Sequence, residues 1–321
     1  MDLSILDELQ PIAEELQRHM SPHVLEHLAK EKGFVHRKGK YQAKELVALC
    51  VWLSQQVAST SLIQLCSCLE VSTGVLISPE GLNQRFNASA VQFLEQVLDN
   101  LLTQRIHSTQ EVIHQYTTTF KHIRILDSTT FQLPDKFSSH YQGLGGSSHT
   151  AGVKIQLEYD LLSGINVYIT NLSTENVPTE HIHDLYSLRW QIEILFKTWK
   201  SFFQIDKCKE IKKERLECHL YGQLISILLC SSTMFKMRQL LLDKKKKELS
   251  EYKSIYMIKN YYLLFYEGLQ KGIHELLKIL LRLFYLLEKN GRKSHRYEKK
   301  TVFDILGVVY DCTLSQSFQV A

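Results

Sequence analysis

The stretch YSLRWQIEILFKTWK, residues 186–200, sets Tyr186, Arg189, Glu193, Lys197 and Lys200 at helical intervals among bulky apolar residues. At about 100° per residue those five fall within an arc of about 80°, and Leu188, Ile192, Leu195 and Trp199 gather on the roughly opposite side. The spacing predicts a strongly amphipathic helix. A solvated surface helix carries the same mixture of charges, and Glu193 with Lys197 is an ordinary i,i+4 stabilising pair. One acid, three cations and a phenol on a single stripe also suit a metal-bound, polyanionic ligand. The rest of the chain has to decide between these readings.

Composition narrows the class first. The chain has 321 residues, 44% hydrophobic and 22% charged, enough for one large or several small packed domains. The acidic start MDLSILDELQPIAEELQ lacks the basic and apolar segments of a secretion signal, and no apolar run reaches membrane-spanning length, so the expected location is cytoplasmic, with no membrane partner. Seven cysteines without a paired CxxC framework suit a reducing compartment, and Cys66 and Cys68 read as packed thiols. Net charge is only +4, but residues 186–300 hold 25 Lys and Arg against 12 Asp and Glu. The runs KCKEIKKER (207–215), KKKK (244–247) and KNGRKSHRYEKK (289–300) suggest either a phosphate-backbone footprint or solvated helix faces.

Residues 1–115 carry Leu, Gln, Glu and Ala at helical spacing and predict an all-helical domain. Within it SLIQLCSCLEVSTGVLISPEGLNQRF (61–86) reads as helix, a turn at Gly74, then a helix capped by Ser78 with Pro79 at its first position. Such a pair is compatible with a helix-turn-helix that reads DNA through Asn83, Gln84 and Arg85, and equally with a plain helical hairpin. From Thr118 the texture changes. FKHIRILDSTTFQLP (120–134) predicts a strand with Asp127 at its middle, followed by a flexible Gly/Ser loop (143–152) and the strands VKIQLEYD (153–160) and INVYITN (165–171), arranged as a hairpin. Beyond Lys212 the chain returns to helix.

A carboxylate beside Ile125 and Leu126 is costly unless it has a partner. A divalent cation shared with Glu193 supplies one, since hard metals take oxygen ligands; a turn or capping role is the bland alternative. Two Mg²⁺ ions held by carboxylates activate water and stabilise the leaving oxygen in phosphodiester cleavage. Arg189, Lys197 and Lys200 would then grip DNA phosphates.

The spacing Tyr186-x₂-Arg189-x₃-Glu193-x₆-Lys200 resembles the Y-R-E-K signature of bacterial insertion-sequence transposases of the DDE type, particularly the insertion sequence four group. The order of the helical N-terminus, the Asp-bearing strand and the basic C-terminus is similar as well. The resemblance implies an α+β, mostly helical fold with a ribonuclease H-like core, Asp127 and Glu193 as first and third carboxylates, and two Mg²⁺ (or Mn²⁺) ions. It implies contacts of Tyr186, Arg189 and Lys200 with the transposon end. It further implies double-stranded DNA, the terminal inverted repeats, as partner, and a homodimer in a synaptic complex. Three segments follow: a helical DNA-binding domain (1–115), the transposase core (118–215) and a helical basic region (216–321).

One departure stands out. Only 66 positions separate Asp127 from Glu193, too few for the further strands, the crossover helix and the second Asp of a complete core. The expected junction lies near LLSG, at Gly164 and Ile165. Asp160 and Asp184 are the remaining candidates for the second acid, but a turn explains the first and a helix dipole the second. The core is expected to be truncated and its chemistry impaired.

Overall fold

The computed structural model describes residues 3–35, 41–53, 56–105, 124–141, 151–160, 193 and 196–293. It divides into two compact units, one of Met1–Thr103 with Thr198–Lys293, the other of Gln104–Lys197 with Ser294–Ala321. Among the described residues the fold is mostly helical with one two-stranded sheet. The strand expected at 165–171 and most of the Gly/Ser loop lie outside the described residues.

The first unit is helical. It contains α1 (Leu3–Met20), α2 (Pro22–Glu31), α3 (Ala43–Val47), α4 (Leu62–Thr73), α5 (Pro79–Arg85) and α6 (Ala88–Arg105). From the C-terminal part come α7 (Lys213–Lys245), α8 (Glu251–Asn260), α9 (Tyr262–Lys271) and α10 (Ile273–Asn290). In α10 the buried positions Leu276, Ile279, Leu280, Leu283, Phe284 and Leu287 follow the helical repeat, which gives it one core-facing stripe. α1 packs along that helix. Gly272, at φ +102°, turns the chain from α9 into α10 through a backbone conformation that L side chains rarely adopt.

The packing centre is the meeting of α7 with the turn that continues α3, a π-helical segment Ala48–Trp52. A Cβ at Gly222 would lie 2.7 Å from both Cβ and the carbonyl oxygen of Cys50, so the helices touch backbone to backbone there. One turn later the buried Ser226 hydroxyl donates to the Val51 carbonyl at 3.0 Å, and the Tyr262 hydroxyl donates to the Ser226 carbonyl. Trp52 meets Tyr262 edge-on at 5.3 Å. Arg215, also buried, donates from Nε to the Val57 carbonyl (2.9 Å) and from its guanidinium to that of Thr60 (2.5 Å), tying the 57–60 turn to the start of α7. By length and composition α7 could cross a membrane, contrary to the sequence expectation, yet 61% of its apolar window is buried inside the protein. Its apolarity is that of a core helix.

The second unit contains β1 (Arg124–Gln132), a 3₁₀ turn (Asp135–Phe137) and β2 (Gly152–Asp160). The strands pair antiparallel over nine positions, from Arg124 opposite Asp160 to Gln132 opposite Gly152. Burial alternates along β1, with Thr129 and Phe131 buried and Thr130 and Gln132 exposed, as a ribbon with one covered face requires. Phe137 of the 3₁₀ turn is buried and stacks edge-on with Tyr141 at 6.5 Å.

Two consequences are measurable. Gly222→Ala gains helix propensity of about 1 kcal/mol but forces two backbones apart, at a cost of about 1–3 kcal/mol. We expect a lower urea midpoint; an unchanged one would show that the contact yields freely. His219 of α7 is fully buried, and burial pushes its imidazole down to about 4. The unfolded chain therefore takes up a proton near its ordinary value of 6.5 while the folded chain does not. This favourable term is intact above pH 6.5 and is lost as pH falls towards 4, at up to about 1.4 kcal/mol per pH unit. His219→Leu should flatten the pH dependence of unfolding across that window relative to the wild type.

Candidate active site and nucleic-acid interface

Asp127 stands at the middle of β1, opposite Leu157. It is half-buried and on the same face as the buried Thr129 and Phe131. Its carboxylate accepts a 2.8 Å hydrogen bond from the Ser128 amide. That half-buried setting is the one its apolar neighbours Ile125 and Leu126 imply. Asp160 stands opposite Arg124, at a register position of the other parity from Asp127. Directly opposed residues share a face, so the ladder places Asp127 and Asp160 on different faces of the ribbon.

Glu193 is helical and half-buried, and residues 196–198 are helical as well. Phe196, Thr198 and Trp199 are buried, and Lys197 and Lys200 are exposed, the two-sided pattern expected from the sequence. At Trp199–Phe203 the helix opens into a π turn that ends at Gln204 in a left-handed conformation, φ 50°. The division between the two units falls between Lys197 and Thr198. Tyr186, Arg189 and Asp184 lie outside the described residues. Among the described residues no group of three or more His, Cys, Asp or Glu is arranged to hold a metal ion. Asp127 and Glu193 are hard oxygen donors of the kind that Mg²⁺ and Mn²⁺ prefer, and they belong to the same unit. Donor type fits; donor number falls short of a two-ion site.

The α4–α5 pair has the local grammar of its sequence. Ser61 caps α4, accepting from the Gln64 amide in a reciprocal box, and Gly74 closes it at φ +71°. Ser78 accepts from the Gly81 amide at 3.1 Å to start α5, with Pro79 at the first helical position. Leu65, Leu69 and Leu82 are the buried side chains of the pair. Gln84 and Arg85 are exposed and Asn83 is half-buried. Arg85 sits 5.8 Å from the centre of the Tyr41 ring. Three consecutive residues of a helix fan over about 200°, so all three cannot face one groove.

The basic residues are partly spent on pairs within the protein. Arg238 pairs with Glu251 at 2.9 Å and with Glu248, Lys247 with Glu288 at 2.5 Å, and Lys244 with Glu8 at 3.0 Å. Burial nevertheless pushes the Glu251 carboxyl up, with Arg238 opposing the shift. Arg215, counted in one of the basic runs, is committed to two carbonyls. Residues 294–300 lie outside the described residues. What sequence reading missed is an aromatic cluster of Phe202, Tyr252 and Tyr256, whose rings lie 4.5 Å and 5.7 Å from Phe202. The i,i+4 tyrosines flanked by lysines in EYKSIYMIKN were the available signal.

Residues 167–229 match the family model described as "Transposase DDE domain". The chain is 40% identical to the transposase for insertion sequence element IS231E of Bacillus thuringiensis subsp. finitimus, over 98% of both chains. It is 39% identical to that of IS231F from B. thuringiensis subsp. israelensis over 97% of this chain and 98% of the relative. With the transposase for IS1151 of Clostridium perfringens it shares 21% over 94% and 97%. The first alignment runs over 469 residues, more than the 321 of this chain, so a large part of the relative's length faces a gap here. No solved structure matches. Its identity to the IS231 proteins, which reaches both ends of each chain across that gap, means that this chain belongs to the bacterial insertion-sequence transposases of the DDE type and is closely related to those of the IS231 elements.

Proposed function

We propose that this chain is an insertion-sequence transposase that still engages its element's ends but is impaired in cutting them. The observation that carries the reading is the end-to-end relation to the IS231 transposases combined with the aligned length that this chain lacks. The gap agrees with the short interval between Asp127 and Glu193, and the junction proposed for it is Gly164–Ile165.

Asp127 and Glu193 would hold Mg²⁺ or Mn²⁺, whose chemistry is to activate water and to stabilise the leaving oxygen of a phosphodiester. Lys197 and Lys200, with Tyr186 and Arg189 ahead of them, would position the DNA strand, and those of Asn83, Gln84 and Arg85 that share an outward face of α5 would contact the duplex. The expected assembly is a homodimer holding two terminal inverted repeats. The register supports leaving Asp160 out of the metal site, because its position has the wrong parity. A second reading, a binding remnant that pairs with an intact transposase and interferes with it, is favoured by the helical unit, which has a core of its own.

Purified protein and its Asp127→Ala variant, incubated with labelled element-end DNA and Mg²⁺ or Mn²⁺, separate these readings. We expect retarded DNA whose affinity falls steeply with salt, as phosphate contacts require, and weak or absent cleavage. Inserting the relatives' missing segment between Gly164 and Ile165 should restore cleavage that needs both metal and Asp127. If the restored chain folds and binds yet never cuts, the shortening is not the lesion and the remnant reading replaces this one. Protein that ignores DNA at low salt defeats both.

A further inference from the structure

Tyr252 and Tyr256 are 44% and 54% exposed on one face of α8, an unusual display for two large rings on adjacent turns. Phe202 of the π turn lies against both, tilted 47° to one ring and 51° to the other, so the three rings form a half-open cluster. The cluster is held in place. Lys259, one turn beyond Tyr256, donates to the Phe202 carbonyl and sits 5.2 Å from the centre of the Phe203 ring. Lys253, exposed beside Tyr252, donates to the Arg292 carbonyl at 3.1 Å. Lys200 is exposed two residues before Phe202. Glu251 and Glu248, acids near this face, are both engaged by Arg238. Flat rings are thus set beside exposed lysines, with Glu248 and Glu251 both bonded to Arg238.

We propose that Phe202, Tyr252 and Tyr256 form a stacking platform for an unpaired DNA base, with Lys200 and Lys253 beside it to meet the flanking phosphates. The occupant follows from the chemistry. Aromatic side chains stack on any base face, but a base inside a duplex has both faces covered by its neighbours, so only a single strand or a frayed end offers one. The lysines favour a polyanionic ligand over an apolar protein surface. The inference rests on the reading that this chain handles DNA and adds to it that part of the bound DNA is unpaired.

The test uses the full chain and fluorescence anisotropy with two labelled probes, an oligothymidylate and a duplex of the element end. Wild type is expected to bind both. Tyr252→Ala/Tyr256→Ala should lose at least roughly tenfold in affinity for the oligothymidylate while its duplex affinity stays within about twofold. Tyr252→Phe/Tyr256→Phe, which keeps both rings, should bind like wild type and shows that loss of the rings is the cause. Wild type that holds the duplex but not the single strand overturns the platform and leaves the transposase reading standing. Wild type that holds neither overturns both. Equal losses on the two probes, or no loss on either, also overturn the platform.

Discussion

The backbone contact between Gly222 and Cys50 is the constraint on which the helical unit depends. A π turn shifts carbonyls out of the ordinary i to i−4 ladder, and such groups need other donors. Ser226 supplies one to Val51, across 175 positions of sequence. The geometry works because residue 222 has no Cβ, because the next turn of α7 carries a hydroxyl, and because Tyr262 then satisfies the Ser226 carbonyl. Helices from the first hundred residues and from the last third of the chain are thereby joined into one core. The segment Gln104–Lys197 contributes to the other unit. Loss of sequence within that segment therefore falls on the strand-bearing unit, and the helical unit keeps its own packing.

This division explains what the sequence could and could not reveal. Gly74, Ser78 and Pro79 were legible because a helix cap is decided within four residues, and all three do in the structure what their types suggest. The alternation around Asp127 was legible for the same reason. Arg215, His219 and Gly222 were not, because their roles depend on partners far along the chain: the turn at 57–60, the backbone near Ile205 and the turn at Cys50. No local pattern separates a lysine or arginine at a surface from one folded back onto a carbonyl. The pairing of β1 with β2 fixed something that no count of acids could, the parity of Asp160 relative to Asp127.

Charge needs the same correction. An excess of Lys and Arg from residue 186 onward reads as a field for DNA, and as net charge it remains one. Contact is a stricter demand, since a side chain already bonded to a carboxylate or a carbonyl must give up that bond before it reaches a phosphate. Arg238, buried between Glu248 and Glu251, would leave two acids without their cation if it moved. Arg215 would leave two carbonyls without a donor. Those two are structural cations. Lys197, Lys200 and Lys253, by contrast, are exposed.

Binding and cutting respond differently to a shortened core. Affinity for DNA is spread over many phosphate contacts, each worth a modest amount, so it declines gradually as contacts are removed. Cleavage with two ions depends on a few carboxylates that must share one small volume, and Mg²⁺ tolerates little departure from its preferred geometry. One strand acid and one helix acid are fewer oxygen donors than two such ions require. A transposase that has lost core sequence should therefore retain recognition well after its chemistry has weakened. That asymmetry is why a close relation to the IS231 transposases does not by itself imply full cutting activity in a chain that lacks so much of their aligned length.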